Sequence, residues 1–181
     1  VSGHVGWGKT TSVLNSLDTE KIDYKYFVCS NGVINEKFSS KVVVIDDLFI
    51  IDDKEIQNKL ISKIIDSKAK FILISRAGLP NWLKPFELTK QLDILSVEDF
   101  KFSIKEVKQL LDLYSVDYHE EEAQTILEVS SAWPLAISTF ANRLTNDKLS
   151  KKLIEKTKLD IFDYFDYVLF QRFDNEIQQF L

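Results

Sequence analysis

The stretch that most restricts this 181-residue chain is Gly3-His4-Val5-Gly6-Trp7-Gly8-Lys9-Thr10, which fits the spacing G-x-x-x-x-G-K-[ST]. Glycines at these positions let backbone amides turn inward and approach phosphate oxygens with no Cβ in the way. A helix that follows directly presents its partial positive charge to the same anion. On this reading the backbone of Gly3, His4, Val5, Gly6, Trp7 and Gly8 lines the cradle, and Thr11 continues it into the helix. Lys9 reaches the β- and γ-phosphates, and the Thr10 hydroxyl binds Mg²⁺. The pattern needs a strand before it and a helix after it. The helix is legible from Thr10 to about Leu17, whereas Val1 and Ser2 alone represent the strand.

The partner of such a loop is a buried strand ending in acid, and Val42-Val43-Val44-Ile45-Asp46-Asp47 has that form. A continuous apolar run of this length suits a strand covered on both faces of a parallel sheet. Lying parallel to the first strand, it would bring Asp46 into the Mg²⁺ shell beside Thr10. Asp47 would then polarise an attacking water as general base. Read without the loop, both are loop-facing acids at a strand end. Phe71 to Ser75 is a second buried-type strand, closed by Arg76. Residues just past the carboxyl ends of parallel strands line the ligand crevice, so Arg76 is placed to contact a γ-phosphate; a surface arginine is the alternative.

Between these landmarks the first half alternates strand and helix. Tyr24 to Ser30 has strand composition; Ile56, Leu60, Ile61, Ile64 and Ile65 form a helical apolar stripe; Leu92 to Leu95 reads as a last strand. This order predicts an α/β fold with a parallel sheet flanked by helices. After about Val97 the pattern becomes helical. Ser103-Ile104-Lys105-Glu106 is a capping box, His119 to Val129 a second helix, and Pro134 opens a third. Leu149 to Thr157 and Phe162 to Arg172 read as two further helices, with another starting near Asn175.

Composition narrows the functional classes. With 45% hydrophobic and 28% charged residues the chain is globular in character, and no apolar run approaches the ~20 residues that span a bilayer. Cys29 is the single cysteine, which excludes an internal disulfide and suits a reducing, cytoplasmic setting. A net charge of −5 argues against direct DNA binding by this chain. Lys151, Lys152, Lys156 and Lys158 cluster, but Glu155 and Asp160 dilute them into a solvated helix face. His4 and His119 lack a second ligand at metal-binding spacing.

With these elements placed, the chain resembles the signal-transduction ATPases with numerous domains (the STAND class of P-loop NTPases, related to AAA+ proteins). More narrowly it is similar to the nucleotide-binding module of large ATP-dependent LuxR-type, maltose-activator-like transcriptional regulators. The residues that carry the likeness are Gly6 to Thr11 (GWGKTT), VVVIDD, Ile72 to Leu83 (ILISRAGLPNWL), Phe100 to Phe102 followed by Glu106, and Ser131-Ala132-Trp133-Pro134-Leu135. Phe162 to Leu181 looks like the opening of a winged-helix domain. The resemblance implies a nucleotide-binding domain over residues 1–97, a helical lid over 98–160 and the start of a winged helix over 161–181. It also implies that Pro134 packs near the adenine or ribose.

Two departures stand out: Ala132 replaces the family's glycine, and the span between the first two strands is short for a full helix. The near-missing first strand reads as truncation, with upstream residues supplying it. The implied function is an ATP- or ADP-binding, slowly hydrolysing switch with Mg²⁺. Its partners would be other domains of the same chain, a homo-oligomer formed on activation, and DNA only through a C-terminal domain outside this sequence. A dedicated P-loop ATPase with steady turnover, of the DNA-dependent or loader type, is the alternative. A non-hydrolysing interaction module is a third reading, against which the intact Lys9, Thr10, Asp46 and Asp47 speak.

Overall fold

A computed structural model describes residues 1–29, 37–76 and 78–170. The chain divides into two compact units, Val1–Phe100 and Lys101–Leu181.

In the first unit, helix α1 (Lys9–Thr19) leads to strand β1 (Tyr24–Val28), then β2 (Val42–Asp46), helix α2 (Lys54–Asp66), β3 (Lys70–Leu73) and the short helix α3 (Lys84–Leu88). The strands form a parallel sheet in the order β1-β2-β3. All five residues of β2 are buried, and the reason is visible in its alternation. Val42 and Val44 pack with Val13 and Leu17 of α1, while Val43 and Ile45 pack with Leu60 of α2. Successive strand residues point to opposite faces, so the two helices cover opposite sides of the sheet.

Asp53 starts α2 by accepting hydrogen bonds from the Glu55 and Ile56 amides at 2.7 and 3.2 Å. Ile56, Leu60 and Ile64 face the core as the periodicity predicts, but Ile65 is exposed. At 3.6 residues per turn it lies about half a turn round from Ile56.

The Val1–Gly3 stretch completes the sheet beyond β3. Ile74 donates its N–H to Ile45 of β2 at 2.8 Å, whereas the Ser75 N–H turns the other way, to the Val1 carbonyl at 2.9 Å. Gly3 N–H donates to the Ser75 carbonyl, and Ser2 forms an isolated parallel bridge with Ser75. On its far side Ser2 donates to the Leu95 carbonyl at 2.9 Å. The expected strand at Leu92 to Leu95 is not formed as such. Among the described residues the segment meets Val1–Gly3 through the Ser2 N–H to Leu95 carbonyl bond, and a ladder needs a series of such bonds.

The second unit contains α4 (Ile104–Leu113), α5 (Glu120–Val129), α6 (Pro134–Leu144) and α7 (Lys151–Phe170). Val107, Leu111, Ala123, Ile126, Ile137 and Phe140 make its core. The break expected after Thr157 is absent: Lys158 to Ile161 contains neither Gly nor Pro, and α7 runs straight through. Arg143 of α6 donates to the Thr157 hydroxyl at 2.8 Å and pairs with Asp160, fastening α7 across this point. Residues 171–181, including the helix expected near Asn175, lie outside the described residues. Among the described residues no helix is long and apolar enough to cross a membrane.

Two local features of this unit make measurable predictions. Ser103 and Glu106 close the capping box reciprocally, and the Ser103 amide and hydroxyl hold the Glu106 carboxyl below the usual carboxylate range. A lowered folded-state value means that the stabilisation is present above the ordinary glutamate range and is lost as pH falls through the depressed value. Ser103→Ala is expected to cost about 1 kcal/mol at neutral pH. In urea denaturation at several pH values this difference should shrink toward acid; a constant difference would refute the coupling.

The second feature is Ala132, which adopts φ +61° after Ser131 at φ +52°. Its N–H donates to Leu127 and its carbonyl accepts from Phe102, both at 3.0 Å, so the left-handed turn is pinned at both ends. A left-handed non-glycine costs about 1–2 kcal/mol, partly offset by the greater freedom glycine has when unfolded. Ala132→Gly is therefore expected to stabilise by about 0.5–1 kcal/mol, read as a higher urea midpoint.

Candidate functional site

The glycine-rich loop ends where α1 begins. Gly8 is the N-cap in a left-handed conformation, with φ +70°, and Gly6 has φ +84°. At Gly8 space is not the constraint, since a Cβ there would meet nothing nearer than Ser12 Oγ at 3.8 Å. The torsion is what demands glycine. At Gly3 the constraint is steric as well, because a Cβ would run into Val97 Cγ1. No side chain caps α1, so the amides of its first turn are left facing the loop.

Lys9, the first residue of α1, is buried, and its Nζ donates to the His4 carbonyl at 2.7 Å, across the loop. Burial lowers the proton affinity of this amine; Asp46 pulls it back up and Arg76 lowers it further. His4 and Thr11 are exposed, while Val5, Gly6 and Trp7 are half-buried.

Asp46, last in β2, has even parity with Val42 and Val44 and so faces α1. Thr10 in the first turn of α1 donates its hydroxyl to Asp46 Oδ2 at 2.6 Å. The sheet thus brings together two hard oxygen donors that lie far apart in sequence, the ligand type Mg²⁺ prefers alongside its waters. The other Asp46 oxygen accepts the Asp47 amide at 2.7 Å.

Asp47 breaks the strand alternation. Its φ of +59° is left-handed, uncommon for a non-glycine residue and concentrated at functional sites. The turn delivers its carboxylate to Arg76, which lies just beyond β3. Arg76 Nε donates to Oδ1 at 2.5 Å and Nη2 to Oδ2 at 2.9 Å, a bidentate pair. Asp47 and Arg76, expected to act separately on a water and a phosphate, are engaged with each other. The Asp47 side chain is 12% exposed and that of Arg76 36%, so the arginine end of the pair is open to solvent.

Tyr26 of β1 belongs to this site and was not anticipated from the sequence. Its hydroxyl donates to Asp46 Oδ2 at 3.1 Å, so this one oxygen receives both Tyr26 and Thr10. Burial and the neighbouring Asp46 push the phenol up to about 12, which keeps it a proton donor at neutral pH. The alternation Tyr24, Tyr26 was legible. The register that pairs Tyr26 with Val44 and Val28 with Asp46, and so makes Tyr26 a diagonal neighbour of Asp46, was not.

Cys29, just after β1, is buried, with its thiol pushed up to about 11 by burial and then by Asp47. That is an unreactive thiol. Trp82 packs on the core shared by β2 and α2. Pro134 is the first residue of α6, in the second unit. No protein-family model matches this chain, and no curated protein matches it.

Proposed function

We propose that this chain is a P-loop nucleotide switch: it binds ATP or ADP with Mg²⁺ and hydrolyses ATP slowly. The observation that carries this reading is the meeting of Lys9, Thr10, Asp46, Asp47 and Arg76 at the carboxyl end of one parallel sheet. Chemically, the uncapped α1 amides and Lys9 suit the phosphates. Thr10 Oγ1 and Asp46 Oδ2 suit a divalent cation, with Tyr26 and the Asp47 amide steadying the carboxylate. The cation would neutralise phosphate charge; the protein groups bind, orient and move the proton. Asp47 takes a proton from the attacking water and Arg76 answers the charge of the terminal phosphate.

The regulatory part of the proposal rests on the family resemblance. In it, α4 to α6 form a lid with Pro134 near the base, a winged helix follows, and the whole serves a bacterial transcriptional regulator in the cytoplasm. Such a regulator would oligomerise on activation and bind DNA through another domain. The deciding experiment is thermal denaturation with ATP or ADP and Mg²⁺. A rise in melting temperature with either nucleotide supports the reading, and no shift with both would overturn it.

A further inference from the structure

The bidentate Asp47–Arg76 pair has a consequence for which phosphates the site accepts, and it rests on the nucleotide reading above. Arginine presents a planar fork, and here Nε and Nη2, one full edge of it, are spent on Asp47. The Asp47 carboxylate is mostly buried, held in place by a left-handed backbone that directs it at Arg76. Lys9 and Thr10 contrast with this. They sit in the loop and the first helical turn, where every nucleotide with a β-phosphate would meet them. Arg76 stands on a different element, past β3, beside the acid.

We propose that Asp47 and Arg76 form a latch that sets the preference between nucleoside triphosphate and diphosphate. A diphosphate leaves the pair closed. A terminal γ-phosphate draws Arg76 off Asp47, so that part of its binding free energy goes into opening the pair. Asp47 is thus a brake on triphosphate affinity, and the same exchange frees its carboxylate for water. The latch differs from plain repulsion between Asp47 and phosphate, because it acts only through Arg76.

Calorimetric titration of the full chain with ADP and with a non-hydrolysable β,γ-imido ATP analogue, both with Mg²⁺, tests this. Asp47→Asn keeps the side-chain shape and removes its charge. It is expected to tighten the analogue about tenfold while changing ADP less than about twofold. In an Arg76→Gln background the same substitution should give no selective gain. Persistence of the gain without Arg76 would mean simple charge repulsion and overturn the latch. Absence of any gain in the parent background would overturn it too. If Asp47→Asn fails to fold by circular dichroism, Asp47→Ser in the same cycle carries the same expectations. Failure of the parent to bind either nucleotide would instead sink the nucleotide reading, and the latch with it.

Discussion

Lys9→Ala is expected to remove nearly all of the thermal stabilisation that nucleotide confers. Ligand at a hundred times its dissociation constant stabilises by about 2.7 kcal/mol. For a unit of this size that is a rise of roughly 10–20 °C in melting temperature. Lys9 is buried and its ammonium lies across the loop at the His4 carbonyl, within reach of an anion that would replace that oxygen. A hydrogen bond to a charged group contributes about 1.5–3 kcal/mol, so its loss weakens affinity on the order of a hundredfold. At the same nucleotide concentration the shift should then fall to about 2 °C. The melting temperature without nucleotide serves as control. An unchanged nucleotide shift in the variant would remove Lys9 from the site.

The second large effect concerns turnover. Asp47→Asn should lower ATP hydrolysis by about 10²–10⁴-fold, the usual contribution of a positioned general base. Phosphate release over many hours, or a single turnover with excess protein, would measure it. The unliganded protein should lose about 1–2 kcal/mol of stability, because the Asp47 carboxylate is mostly buried while the arginine end of the pair is open to solvent. Hydrolysis equal to that of the parent would deprive Asp47 of its role. Turnover above about one per second in the parent would favour a dedicated ATPase over a switch.

The part of the site that could be read from sequence is the part encoded by local patterns. VVVI followed by two acids is recognisable because a strand buried on both faces needs no polar alternation. Lys9 and Thr10 are recognisable because the glycine spacing fixes them at a helix start. Contacts that depend on strand register or on a single backbone torsion leave no such trace. Tyr26 meets Asp46 only because β1 and β2 pair as they do. Asp47 meets Arg76 because one residue leaves the extended region, and a pattern of residue types does not encode that choice. The continuity of α7 differs in kind: two helices, Leu149 to Thr157 and Phe162 to Arg172, are expected, yet the stretch between them holds no residue that stops a helix.

The two glycines that bound the loop exclude side chains to different degrees. Gly8 occupies a torsion that is unfavourable for L residues yet ordinary for their mirror images, in a place with room for a methyl group. An L-alanine there would meet the torsional cost alone, about 1–2 kcal/mol, with no neighbour to displace. At Gly3, with φ +150°, an L side chain meets an unfavourable torsion and the Val97 methyl together, so shortening Val97 to alanine would ease the second obstacle and leave the first. One position is thus closed by chirality alone and the other by chirality and a neighbour together, although both are written with the same letter.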